Sequence, residues 1–133
     1  MPKFFKYYLP PILMAVMIFS FSSIPGNDYP RVEGNGFDSS DFVNPVAHMI
    51  EYFLLSFLIL RAFDQNKKMS RRKKLILALF LTLLFALSDE YHQSFVPERE
   101  GSLTDWSIDA LGVLAGLGWY MNKEKWRSGK KMP

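Results

Sequence analysis

Cysteine is absent from the 133 residues, which excludes a disulfide-stapled scaffold, thiolate catalysis and cysteine-ligated zinc or iron–sulfur sites, and says nothing of the redox compartment. No internal repeat is found. Charge is also missing from long stretches: the charged residues, 22% of the chain, are gathered into short blocks separated by runs with almost none. What fills those runs is apolar. Half of the chain is hydrophobic (49%) and 16% is aromatic, too much apolar surface for disorder, and the length allows one domain, residues 1–133. Sixteen bases against 13 acids give a net charge of +3. That excess would fit a nucleic-acid binder if it were spread over a surface, but its confinement to blocks gives it another meaning.

Four apolar segments stand out. Residues 7–24 contain no charge and, as a helix of 1.5 Å rise per residue, reach about 27 Å, close to the thickness of a bilayer core. Pro10 and Pro11 fall in the first turn, where a missing N–H costs little. The second segment, 45–63, opens on Asn44-Pro45, an N-cap residue followed by the residue favoured at the first helical position. The third, 75–95, starts with thirteen uncharged residues, Leu75 to Leu87, and must include Asp89 to Gln93 to reach the far interface. The fourth, 103–121, carries Asp105 and Asp109 near its start and Trp119-Tyr120 where an interfacial aromatic belt would lie. The expected fold is an all-α membrane bundle of four transmembrane helices.

The bases orient it. Lys3 and Lys6, then Lys67, Lys68, Arg71, Arg72, Lys73 and Lys74 in the loop 64–74, then Lys123, Lys125, Arg127, Lys130 and Lys131 in the tail 122–133 all fall on one side, against Arg31 and Arg99 on the other. Short loops rich in Lys and Arg stay in the cytoplasm, so both termini are expected there. The positive charge is then a topology signal, and no nucleic-acid partner is expected. A cleavable leader ending near Ser20-Phe21-Ser22 is the alternative for the first segment, but the two prolines argue for its retention. The outer loop 25–44, with Asp28, Glu33, Asp38 and Asp41, reads as a solvated connector.

Ionisable residues within spans are costly and face the protein or a polar cavity. On the second helix His48, Glu51 and Tyr52 share a face; on the third Asp89 aligns with His92 and Gln93, with Glu90 about 100° round. On the fourth, Asp105, Asp109, Gly112 and Gly116 follow one line, and the glycine pair is a small-xxx-small seam that lets a neighbouring helix approach and could also join two copies of the chain. Topology brings His48, Glu51, Asp89, Glu90, His92, Gln93, Asp105 and Asp109 to one depth on the extracytoplasmic side, joined by Arg99 and Ser102 from the loop between the third and fourth segments. Candidate catalytic groups are Asp89, Glu90, Asp109 and Glu51; candidate substrate-binding groups are Arg99, Gln93, Ser102, His48, His92 and Asp105. Carboxylates there could act as general acid and base on an envelope lipid or lipid-linked headgroup, with Arg99 holding its phosphate. Simple amphiphile binding is the second reading, and helix packing with no ligand the third. Ser102-Leu-Thr-Asp105 also reads as a capping box, and Arg99 as a counter-ion to Asp89 or Glu90. His48-x-x-Glu51 and Asp89-x-x-His92 have a spacing that suits histidine–carboxylate metal sites in bundles, but the pattern is short, and neither metal nor cofactor is assigned. Four short spans with no duplicated half argue against a proton-coupled carrier.

The run Asp89-Glu-Tyr-His-Gln-Ser-Phe-Val-Pro-Glu-Arg99, followed by Gly101-Ser102, Asp105, Asp109 and Gly112-x-x-x-Gly116, resembles the VanZ-like family of small bacterial membrane proteins; Ser22-Ser-Ile-Pro-Gly26 and His48 with Tyr52 extend the resemblance. It implies an integral membrane protein of several helices and brings no reaction with it; the expected setting is the bacterial cytoplasmic membrane, multi-pass, with membrane lipids and a lipid-linked envelope precursor or a lipoglycopeptide as candidate partners. It also implies a link to low-level teicoplanin resistance by a mechanism that the name does not supply. Asp89, Glu90, Gln93, Pro97, Arg99, Ser102 and Asp105 match the family pattern. Glu98 stands where that pattern carries glycine, and adds a charge near Arg99.

Overall fold

The computed structural model describes residues 2–26 and 40–129, with the side chains of 2–26 and 45–123; most of the expected outer loop, with its acids, lies outside them. Four helices form, α1 (Leu9–Ser22), α2 (Ser40–Phe63), α3 (Arg71–Gln93) and α4 (Leu103–Gly129), and the described residues contain no strand.

Helix ends follow local backbone chemistry, so they overrun the apolar segments. Pro10 and Pro11 do occupy the first positions of α1, but a π-helical turn, Phe4–Tyr8, already precedes them, closed by the Leu9 N–H on the Phe4 carbonyl. Because the prolines lack N–H groups, the wider i→i+5 register takes over at the junction. α2 starts at Ser40, upstream of the expected Asn44-Pro45 start, and keeps Pro45 inside; proline's φ is already helical, so the cost is one backbone bond near the helix start. α3 begins at Arg71 because Ser70, in an extended conformation, caps it by accepting the Lys73 N–H at 3.3 Å. α4 runs on to Gly129, since Asn-Lys-Glu-Lys-Trp-Arg continues a helix well after hydropathy has ended.

Among the described residues, three helical stretches are long and apolar enough to cross a membrane: Phe4–Ser22, Pro45–Phe63 and Arg71–Gln93. The expected fourth span is not matched by composition, because Asp105, Ser107, Asp109 and the glycines dilute α4. The packing is nevertheless that of helices in lipid. Large apolar side chains point outward along α1 (Leu13, Val16, Phe19), α3 (Ile76, Phe80, Leu84) and α4 (Leu111, Leu114, Trp119), while Ser56, Ala78, Thr82, Ala86 and Asp109 are fully buried. With lipid as solvent, association depends on close backbone approach and hydrogen bonds, which favours small and polar residues inside.

The tightest pair is α2 and α4. Gly112 lies against the Met49 carbonyl and Gly116 against the Phe53 carbonyl and the Ser56 hydroxyl, positions where any Cβ would collide. The register rises together on both helices, so α2 and α4 run parallel. Their seam is thus filled within the chain, and a second copy could use it only by displacing α2. α1 is peripheral, burying a stripe of Pro11, Met14, Ile18 and Ser22. At the basic end, Lys74 Nζ donates to Asp64 Oδ1 at 2.9 Å and the Tyr120 hydroxyl to Asp64 Oδ2 at 3.0 Å, closing that end of the bundle.

Candidate functional site

The opposite end gathers the C-termini of α1 and α3 and the starts of α2 and α4. Their polar side chains form two groups back to back on the last turns of α3. Residues 89, 90 and 93 all lie on its inward stripe, which continues through Lys74, Ala78, Thr82 and Ala86; the 3.6-residue period carries this line into the polar tip.

The first group ties α1 to α3 and to the loop. Asp89, 2% exposed, accepts the Ser22 hydroxyl on Oδ1 at 2.5 Å and the Gln93 amide on Oδ2 at 3.0 Å. Gln93 Oε1 in turn accepts Arg99 Nη1 at 3.1 Å. Arg99 therefore reaches Asp89 through Gln93, and the described ion pairs include no direct bridge from it to Asp89 or Glu90. His92 belongs to this side, stacking on Phe19 with ring centroids 4.4 Å apart and pairing its Nε2 with the Ser23 hydroxyl at 3.0 Å. Asp89 and His92 share a helix face by spacing, and in the fold Asp89 Oδ1 and His92 Nε2 both turn to the C-terminal end of α1.

The second group joins α2, α3 and α4. His48 Nδ1 lies 3.2 Å from Asp109 Oδ1 and 3.8 Å from Glu90 Oε1. Glu90 Oε2 accepts the Ser102 N–H at 2.9 Å, while the Ser102 hydroxyl accepts the Thr104 N–H at 3.1 Å. Ser102 thus caps α4 through the second N–H of the helix, and neither bond of the expected capping box is among those described. The role expected of Asp105, satisfying the Ser102 N–H, is taken by Glu90 from the neighbouring helix, whose longer side chain spans the gap. Asp105 stays in the first turn of α4, half-buried, where a negative charge complements the helix dipole. Glu51, one turn from His48 and half-buried, does not join this group.

Three buried atoms, Glu90 Oε1, Asp109 Oδ2 and the Tyr52 hydroxyl, have no hydrogen-bond partner among the described residues. Each such atom costs about 1–3 kcal/mol unless something completes it, so the group is unfinished as it stands. Helical spacing puts Tyr52 on the His48 face, but without a charge it is not among the candidate site residues; its complete burial adds it.

Beside Glu90 a pocket of about 200 Å³ opens between α3 and α4, lined by Leu87, Glu90, Tyr91, Ser94, Gly101, Ser102, Leu103 and Trp106. Its lining is almost entirely apolar, with Leu87, Tyr91 and Leu103 exposed at the rim and Glu90 buried behind it. The connecting loop is pinned at two backbone contacts. Gly101 lies on the Glu90 carbonyl, and Gly26 lies on the Glu98 carbonyl while its N–H donates to Pro97 O at 3.1 Å. Glu98 has φ of 58°, the left-handed region that glycine enters freely, so the loop keeps a glycine-type conformation with a non-glycine residue.

The family model described as VanZ/LLP1 matches residues 7–124. No curated protein and no solved structure matches the chain.

Proposed function

The chain belongs to the VanZ/LLP1 family, and from that premise we propose that it is a four-pass protein of the bacterial cytoplasmic membrane, termini inside, that binds a phosphate-bearing or glycopeptide-like envelope amphiphile on its outer side. The observation carrying this reading is the pocket that joins Glu90 and Ser102 to Leu87, Tyr91, Leu103 and Trp106. An apolar tail suits its walls, and a polar head at its edge would lie beside Ser102 and Glu90. Arg99, held on Gln93 just beyond α3, is not part of the pocket lining but stands at the same end of the bundle, where a phosphate extending past the pocket would meet its charge. Support for a fourth pass comes from the two faces of α4. Its polar residues Asp109 and Gly112 turn into the bundle, and the outward Leu111, Leu114 and Trp119 are more than half exposed, a distribution that a hydropathy average does not register.

A role in low-level teicoplanin resistance follows if that amphiphile is an envelope precursor or the lipoglycopeptide itself. The test compares lipid profiles and teicoplanin susceptibility in a deletion strain carrying no copy, the wild-type gene, or Arg99→Ala at matched membrane abundance. Arg99→Ala is expected to behave as the deletion. A changed lipid species then identifies modification; altered susceptibility with unchanged lipids identifies binding. Wild-type behaviour of Arg99→Ala at normal abundance refutes the reading.

One observation favours a structural role for part of this end. Both Asp89 oxygens are occupied within the bundle, by Ser22 and Gln93. On that reading Asp89→Asn lowers abundance in proportion to any loss of phenotype, whereas Arg99→Ala separates the two.

A further inference from the structure

We propose that His48, Glu90 and Asp109 form a binding site for a divalent first-row transition metal ion, with Zn2+ as the reference case. One donor atom from each residue lies within 4.8 Å of the other two, and the two pairs through His48 Nδ1 are 3.2 and 3.8 Å apart. With metal–ligand bonds of about 2.1 Å, neighbouring donors of a tetrahedral ion stand roughly 3.4 Å apart, so the two pairs through His48 need shifts of a few tenths of an ångström and the Glu90–Asp109 pair must close from no more than 4.8 Å. Each donor comes from a different helix, so the site exists only in the folded bundle.

Burial supplies the second argument. Glu90 is 5% exposed and Asp109 fully buried, yet Glu90 Oε1, which faces His48, and Asp109 Oδ2 have no hydrogen-bond partner among the described residues. His48 Nδ1 can give one proton, and it lies closer to Asp109, so an imidazole cannot complete both carboxylates. A dication would compensate two anions at once in a place where unpaired charge is most expensive. The donor set selects the metal: one imidazole and two carboxylates, with no thiolate in the chain, suit Zn2+, Mn2+ or Fe2+ over Mg2+, Ca2+ or soft Cu(I). Three protein donors also leave a position for water or a ligand oxygen. Glu90 places that position next to the pocket, since its other oxygen holds Ser102 at the pocket wall. The histidine–carboxylate pairs suggested by helix spacing are not the ones used: Glu51 and His92 both stay outside the triad.

The test uses the full chain, purified in detergent, stripped with EDTA and incubated with Zn2+ alone. One equivalent retained per chain after desalting is expected in wild type and in Glu51→Gln; His48→Ala and Asp109→Asn are expected to weaken binding at least tenfold. Retention of the equivalent by both triad variants, or none in wild type, overturns the site. Because a triad variant can fail to fold, Co2+-loaded protein labelled at histidine gives an independent reading. With two histidines in the chain, His92→Gln leaves His48 as the sole labelled ring, and a paramagnetically shifted imidazole signal is expected from it. An unshifted signal at full Co2+ loading overturns the proposal. This binding assay reads the metal alone, so failure of the amphiphile reading leaves its outcome untouched.

Discussion

A single added methyl group, placed two residues apart on the same helix, should move stability in opposite directions. At Gly116 a Cβ would occupy the space of the Phe53 carbonyl and the Ser56 hydroxyl, whereas at Gly118 it would meet nothing within 4 Å. The helix-propensity gain of Gly→Ala, about 1 kcal/mol, applies to both. At Gly116 it is opposed by overpacking against backbone that cannot swing aside, typically about 1–3 kcal/mol, together with damage to the bond from Ser56 to the Val113 carbonyl at 3.1 Å. Gly118→Ala is therefore expected to stabilise by up to about 1 kcal/mol. Gly116→Ala is expected to be neutral to destabilising by about 2 kcal/mol, leaving the two variants roughly 2 kcal/mol apart. Equilibrium unfolding in mixed micelles, followed by Trp fluorescence and circular dichroism, measures that difference. Equal stability, or a more stable Gly116→Ala, would refute the close approach of α2 and α4.

Two further substitutions probe the ends of the bundle. Glu98→Gly removes a left-handed non-glycine residue costing roughly 1–2 kcal/mol, offset by the extra freedom of glycine when unfolded, so a net gain of about 0.5–1 kcal/mol is expected in the same assay; a loss would mean that the Glu98 side chain outweighs its backbone strain. Asp64→Ala takes the carboxylate from Lys74, whose ammonium lies 2.9 Å from it and is 7% exposed as a residue, and should cost about 2–4 kcal/mol. Adding Lys74→Met is expected to recover much of that loss, and a double variant no more stable than Asp64→Ala would show that the unpaired ammonium is not the source of the loss.

Much of the site's location was legible from order alone. Apolar runs alternating with basic blocks make consecutive helices reverse direction, and acids near the ends of the second, third and fourth segments must then meet at one end. The loop geometry was half legible: Glu98 stood out as a departure from the family's glycine, but only the φ of 58° shows that the chain keeps the bend regardless. Asp64 gave a weaker signal, a lone acid beside a run of bases, and its bonds to Lys74 and Tyr120 appear only when the helices are assembled.

Pairing was not legible. Helical spacing put His48 with Glu51 and Asp89 with His92, yet His48 meets Asp109 and Glu90 from two other helices, and Asp89 meets Ser22 from a third. Glu90 replaces Asp105 at the Ser102 cap for the same reason. The period of a helix tells which residues share a face, and hydropathy tells how deep they lie, so fold class, family and the polar end follow from sequence. The rotation of each helix about its axis, and the neighbour that its face meets, is settled by where backbones can approach closely, here by Gly112 and Gly116 against α2. That contact lies between residues about 63 positions apart in the chain, beyond the reach of any local pattern, and tertiary packing alone decides which acids stand beside which imidazole.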